Sequence, residues 1–149
     1  MSQLQPGTPA PDFSLQDHTG TVRTLSEFKG SYVVLYFYPK DDTPGCTKEA
    51  CMIRDSYNDF ETNGIVVLGV SKDSPESHVK FREKYELPFI LLSDMDKLVI
   101  NAYGADGLLF NKRVTYVIDP NGIIAKIYPN VEPASHAMQL LQDIKNLSK

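Results

Sequence analysis

The chain has 149 residues, 42% of them hydrophobic and 23% charged, which suits one soluble domain with a sizeable core. Its formal net charge is −4 and it contains no basic run, which argues against a nucleic-acid partner held through phosphates. No apolar run approaches the roughly 18 residues that a membrane span requires.

Residues 13–25 alternate in polarity around Asp17 to Gly20 and read as a hairpin. Ser26 to Gly30 reads as one helical turn ended by glycine. Tyr32 to Tyr38 is almost wholly aromatic and β-branched, the pattern of a strand buried on both faces. The polar loop Pro39 to Gly45 follows, then a helix expected from Cys46 to about Thr62, stopping at Asn63-Gly64. Ile65 to Val70 is a second buried strand. Ser74 is placed to cap a helix with Pro75 at its first position, running to about Tyr85. Phe89 to Leu92 reads as a short strand and Lys97 to Tyr103 as a short helix. Val114 to Asp119 and Ile123 to Tyr128 form a hairpin around Asn121-Gly122. Ala134 to Leu147 is an amphipathic helix. This order predicts an α/β fold of thioredoxin type: a central mixed sheet flanked by helices, with an N-terminal β-hairpin extension, as a single domain over residues 1–149.

The chain has two cysteines, Cys46 and Cys51, too few for a disulfide scaffold. The three histidines are scattered along the chain and read as solvated or core residues, so no metal site and no cofactor are expected. Cys46 falls where a strand empties through a Pro/Gly loop into a helix. Free N–H groups and the positive end of the helix dipole there favour a thiolate over a thiol. At 100° per residue, Ala50, Ile53, Tyr57 and Phe60 fall on the same side of the helix as Cys46. Cys51 is about 140° around and about 7.5 Å along the axis, so an intact helix keeps the sulfurs apart. If they bond, the first turns must unwind, where unwinding costs least.

That geometry suits a two-step cycle in which a folded pocket activates one thiol and an unwound one delivers it to the other. Reduction of a peroxide has this form. Such a site needs a cation and hydrogen-bond donors. Pro39 can shield the sulfur, and the Thr43 hydroxyl can reach both sulfur and substrate. Arg113 can supply the charge if the strand after it neighbours Tyr32 to Tyr38. Arg54 and Arg23 are rival cations. Glu49 can orient an arginine, or simply complement the helix dipole.

The spacing Pro39-x-x-x-Thr43-x-x-Cys46 resembles the active-site motif of peroxiredoxins. Gly45 to Cys51, with Arg54-Asp55 behind it, is similar to the peroxiredoxin Q (bacterioferritin comigratory protein) subfamily. Gly69 to Ser74, Arg113 to Asp119 and the opening Gly7-x-x-Ala10-Pro-Asp-Phe13 extend the likeness over nearly the whole chain. One departure is the segment Gly104 to Lys112, which lacks the tryptophan often found there. The resemblance implies an antioxidant thiol peroxidase acting on hydrogen peroxide and organic hydroperoxides. It implies Cys46 as the peroxidatic cysteine, which becomes a sulfenic acid, and Cys51 as the resolving one. A Cys46–Cys51 disulfide would then be recycled by thioredoxin, with Pro39, Thr43 and Arg113 at the family's active-site positions.

Two other functions compete. A thiol–disulfide oxidoreductase acting on proteins would normally carry Cys-x-x-Cys, which is missing here. A redox-responsive binding protein would expose a partner surface when its helix melts. With both thiols in one chain, the expectation is a monomer. Residues 1–9 show neither the basic nor the apolar region of a signal peptide, so the expected compartment is the cytoplasm, or an organelle after loss of a transit peptide.

Overall fold

The computed structural model describes residues 4–107 and 111–148. Among the described residues, seven strands form one mixed sheet: β1 (Ser14–Asp17), β2 (Val22–Thr24), β3 (Tyr32–Phe37), β4 (Ile65–Ser71), β5 (Ile90–Ser93), β6 (Val114–Ile118) and β7 (Ile124–Tyr128), in the order β2-β1-β5-β4-β3-β6-β7. β4 lies parallel to both β3 and β5, and every other pairing is antiparallel. The helices are α1 (Pro44–Asp55), α2 (Tyr57–Thr62), α3 (Pro75–Tyr85), α4 (Leu98–Ala102) and α5 (His136–Leu147), with a 3-10 turn at Leu25–Phe28. The N-terminal hairpin is part of the sheet rather than an appendage, because β1 pairs with β5 through Gln16–Ser93 and Asp17–Leu92.

β3 organises the core through the two-residue period of a strand. Val34, Tyr36 and Tyr38 face one side, where they pack with Ala50 and Ile53 of α1, Phe60 of α2, Phe81 of α3 and Leu140 and Ile144 of α5. Val33, Leu35 and Phe37 face the other, with Phe13, Leu15, Leu25, Ile100 and Tyr103. Burial on both faces explains why the strand reads as an unbroken apolar run. The Ser74 hydroxyl accepts from the Ser77 amide at 3.2 Å and Pro75 opens α3, as that pair of residues dictates.

The helix expected from Cys46 to Thr62 differs in two ways. It starts two residues earlier, because Thr43 is extended (φ −101°, ψ 157°) and Pro44 takes the first helical position. It is also broken at Ser56, whose amide is shared between the carbonyls of Met52 (3.3 Å) and Ile53 (3.1 Å). Cys46 is therefore the third helical residue. It is still inside the first turn, where the amides of Gly45 and Cys46 have no helical carbonyl to bond.

Gly69 on β4 is a packing requirement. A Cβ there would lie 2.9 Å from the Tyr36 ring and 2.9 Å from Leu91 Cδ2. We expect Gly69→Ala to lower stability by about 1–3 kcal/mol through overpacking, measured by denaturant unfolding. An unchanged midpoint would show that this layer yields.

Candidate active site

Chain direction assembles the site. β6 runs antiparallel to β3 with Phe37 opposite Val114, so the residue before Val114 stands beside the end of β3. That residue is Arg113, and the end of β3 is where the loop to α1 departs. Arg113 therefore arrives over the first turn of α1 although 67 positions separate it from Cys46. Its Nη2 donates to Cys46 Sγ at 3.4 Å and its Nη1 to Glu49 Oε1 at 2.7 Å. Glu49 follows Cys46 by three residues and so lies on the same helical face. Both side chains are buried, Cys46 at 2% exposure and Glu49 at 0%.

Burial disfavours a charged Glu49 and pushes its carboxyl up to about 7, with the guanidinium offsetting only part of that rise. Glu49 Oε2 is buried and lacks a hydrogen-bond partner among the described residues, which adds to the cost of ionisation. Burial alone would pull Arg113 down, but the charges of Glu49 and the Cys46 sulfur outweigh it and the net shift is upward. The guanidinium thus stays charged against the sulfur. Tyr36 forms part of the floor beneath, its hydroxyl buried without a partner among the described residues; burial, then Glu49 and Cys46, hold its proton firmly.

Three other candidates belong to the loop or helix. Pro39 is half-buried at the start of the loop. The Thr43 hydroxyl donates to the Lys40 carbonyl at 2.9 Å rather than to sulfur, which leaves its oxygen lone pairs as acceptors. Cys51 is half-buried on α1, and both cysteines are free thiols. The rival cations are engaged elsewhere. Arg54 bonds the Tyr85 carbonyl at 2.8 Å and Asp55 at 3.0 Å, while Arg23 pairs with Asp17 at 3.2 Å and Glu27 at 3.1 Å.

The histidines are more structured than their scatter suggests. His78 is fully buried against Asp41, and His136 is fully buried against Thr115 at 2.8 Å. Neither partnership has a local sequence signal. Among the described residues no cluster of three His, Cys, Asp or Glu side chains could hold a metal ion. Of the segment that lacks a tryptophan, residues 108–110 lie outside the described residues.

Residues 6–127 match the AhpC/TSA family. The chloroplastic peroxiredoxin Q of Oryza sativa subsp. japonica is 45% identical over 149 residues, covering 97% of this chain and 69% of its own. A putative peroxiredoxin bcp from Coxiella burnetii is 44% identical over 146 residues, covering 93% of this chain and 97% of its own. Among solved structures, a PrxQ cysteine-to-serine mutant from Xylella fastidiosa superposes with a TM-score of 0.93 at 30% identity over 100% of both chains. The bacterioferritin comigratory protein of Xanthomonas campestris, studied for alkyl peroxide reduction, superposes with a TM-score of 0.89 at 31% identity, again over 100% of both chains.

Two tests follow from the geometry. A Cβ on Gly45 would lie 2.8 Å from Arg113 Nη2. The guanidinium can move aside, so Gly45→Ala should retain its thermal stability yet slow the reaction of Cys46 with hydrogen peroxide about 10- to 100-fold, followed by competitive peroxide consumption. An unaltered rate would show that Arg113 is not needed at the sulfur. The second concerns pH. A carboxyl raised on folding contributes stability that is present below its unfolded value of 4.5 and lost as pH rises through about 7. Unfolding free energy should fall by about 2–3 kcal/mol across that window, and Glu49→Gln should flatten the fall.

Proposed function

The chain belongs to the AhpC/TSA family, as a thiol peroxidase of the peroxiredoxin Q type, and we propose that its chemistry runs through Cys46 and Cys51. The observation that carries this reading is the single guanidinium bonded to both the Cys46 sulfur and a buried carboxylate. Cys46 sulfur, as thiolate, attacks the terminal oxygen of a hydroperoxide. The O–O bond breaks, the alcohol or water leaves on taking a proton, and Cys46 becomes a sulfenic acid. Arg113 and the free amides of the first turn stabilise the charge that passes from sulfur to the departing oxygen. Pro39 closes the loop side of the sulfur, and Thr43 offers its oxygen to the hydroperoxide proton. Glu49 holds the guanidinium in line.

Cys51 then attacks the Cys46 sulfur, hydroxide leaves as water, and an intramolecular disulfide forms. A thioredoxin dithiol exchanges with it and restores both thiols. Hydrogen peroxide and organic hydroperoxides are the substrates, and antioxidant defence is the role. Resolution inside one chain needs no second subunit, which supports a monomer. Plant relatives of this chain are chloroplastic and others are bacterial. No helix among the described residues is long and apolar enough to cross a membrane. We place the protein in the cytoplasm, or in an organelle after removal of a leader, as one domain over residues 1–149.

The burial of Cys46 at 2% exposure favours this reading over a protein-disulfide oxidoreductase, whose sulfur must meet another protein's. NADPH oxidation coupled through thioredoxin reductase and thioredoxin tests it. Hydrogen peroxide should drive turnover that Cys46→Ser abolishes, whereas Cys51→Ser should reduce one equivalent and stall. Insulin reduction without peroxide would instead favour the oxidoreductase, and a single oxidation that no reductant reverses would favour a redox-responsive binding protein.

A further inference from the structure

The loop that delivers Cys46 is fastened to α3 at two adjacent residues. Asp41 turns inward and is buried. Its Oδ1 accepts from Tyr38 Oη at 2.6 Å, and its Oδ2 meets Ser77 Oγ at 2.8 Å and His78 Nδ1 at 2.7 Å. The Asp41 amide donates to Asp73 Oδ2 at 2.8 Å, and Ser71 Oγ donates to that same oxygen at 2.7 Å. On the far side of the ring, His78 Nε2 lies 3.0 Å from the Leu92 carbonyl. A carbonyl only accepts, so Nε2 is the donor in that bond. Asp42 turns outward in a left-handed conformation (φ 56°) and accepts from Lys84 Nζ at 2.8 Å and Tyr85 Oη at 2.7 Å. Ser77, His78, Lys84 and Tyr85 all belong to α3. By contrast, the Thr43 hydroxyl bonds only within the loop.

Unwinding the first turn of α1 needs slack upstream of Cys46, and this fastening removes it. We propose that Asp41 is a positioning residue for the peroxidase reaction: its bonds to His78, Ser77 and Tyr38 latch the Cys46 loop onto α3 and set the balance between the folded, peroxide-reacting form and the unwound, disulfide-forming form. The proposal rests on the peroxidase reading for its kinetic consequences and on geometry alone for its structural one. Releasing the latch lowers the population in which Arg113 meets the sulfur and raises the population in which Cys46 can reach Cys51. The two chemical steps therefore respond in opposite directions, which loss of general stability would not produce.

Rapid quenching with thiol alkylation and mass spectrometry separates the steps. Asp41→Asn should slow sulfenic acid formation and speed the subsequent disulfide formation, changing their ratio about tenfold or more, since one member of a buried pair has been neutralised. Under excess hydrogen peroxide it should also accumulate less sulfinic acid, the product of a second hydroperoxide oxidising the sulfenic acid and leaving as water. Ser77→Ala, which removes one bond of the three, should move both steps in the same sense by less. Asp143→Asn is the control: it breaks a pairing with Tyr128 and Lys126 that involves no residue of the loop or of α3 and should leave the ratio unaltered. Both steps slowing together, or neither changing, would overturn the proposal. Hydrogen exchange of the reduced protein gives a readout free of peroxide chemistry. Amides of residues 47–51 should exchange about tenfold faster in Asp41→Asn while those of β3 and β4 hold. Uniform acceleration, or none, refutes the latch even in a protein that reduces no peroxide. A wild type that leaves peroxide untouched refutes the peroxidase reading separately.

Discussion

One guanidinium, shared between a buried sulfur and a buried carboxylate, is the interaction on which the site depends. Arg113 can make both bonds only because β6 is antiparallel to β3 and in a register that sets Val114 opposite Phe37. A two-residue slip would carry it about 7 Å along the strand and out of reach of α1. The pair is a poor source of stability, since taking two charges out of water costs about what their attraction returns. Its value is positional. It holds a fixed positive charge against the Cys46 sulfur, in surroundings where water screens little.

Two mechanical properties are kept apart in this fold. The cation stands just before β6, an interior strand of the sheet that is hydrogen-bonded on both sides and buried on both faces. The thiols ride on a helix whose first turn lacks half its hydrogen bonds by geometry. Unwinding can therefore move a sulfur without moving the charge it must return to. Beyond that turn α1 is anchored in the core by Ala50 and Ile53, and after the break at Ser56 α2 has its own anchor in Phe60.

Much of this was legible along the chain. The unbroken apolar run of β3, the Ser74-Pro75 start of α3 and the Asn121-Gly122 turn each carry a local physical signature, and the order of elements then fixes the sheet. Arg113 could be placed beside Cys46 because strand adjacency follows from that order. The exact partners that finish the site could not, although Glu49 already reads as a group able to orient an arginine. Glu49 and Arg113 are 64 positions apart, and Asp41 and His78 are 37 apart. Nothing in hydrophobic period or capping chemistry marks such pairs. Asp41 reads as one more polar loop residue, and His78 as a histidine on a polar helix. The start of α1 was misplaced for a different reason: Pro44 suits a loop and a first helical position equally well. The Thr43 hydroxyl, expected to reach sulfur and substrate, gives its hydrogen to the Lys40 carbonyl, a backbone partner that no side-chain pattern marks.

Glu49 lies between the two cysteines, and that position bears on how the helix opens. A bond between the sulfurs requires disruption either on the Cys46 side of Glu49 or through it. Opening the first turn breaks few helical hydrogen bonds. Opening through Glu49 would break its 2.7 Å bond to Arg113 and begin to expose Ala50 and Ile53, both fully buried on the same helix. Opening confined to residues 44–48 is therefore favoured, and three residues of extended chain span roughly 10 Å, enough to carry Cys46 to the next turn. On the proposed cycle, the Glu49–Arg113 bond would limit the unwinding as well as orient the charge, and Arg113 would stay aligned on Glu49 while Cys46 is away.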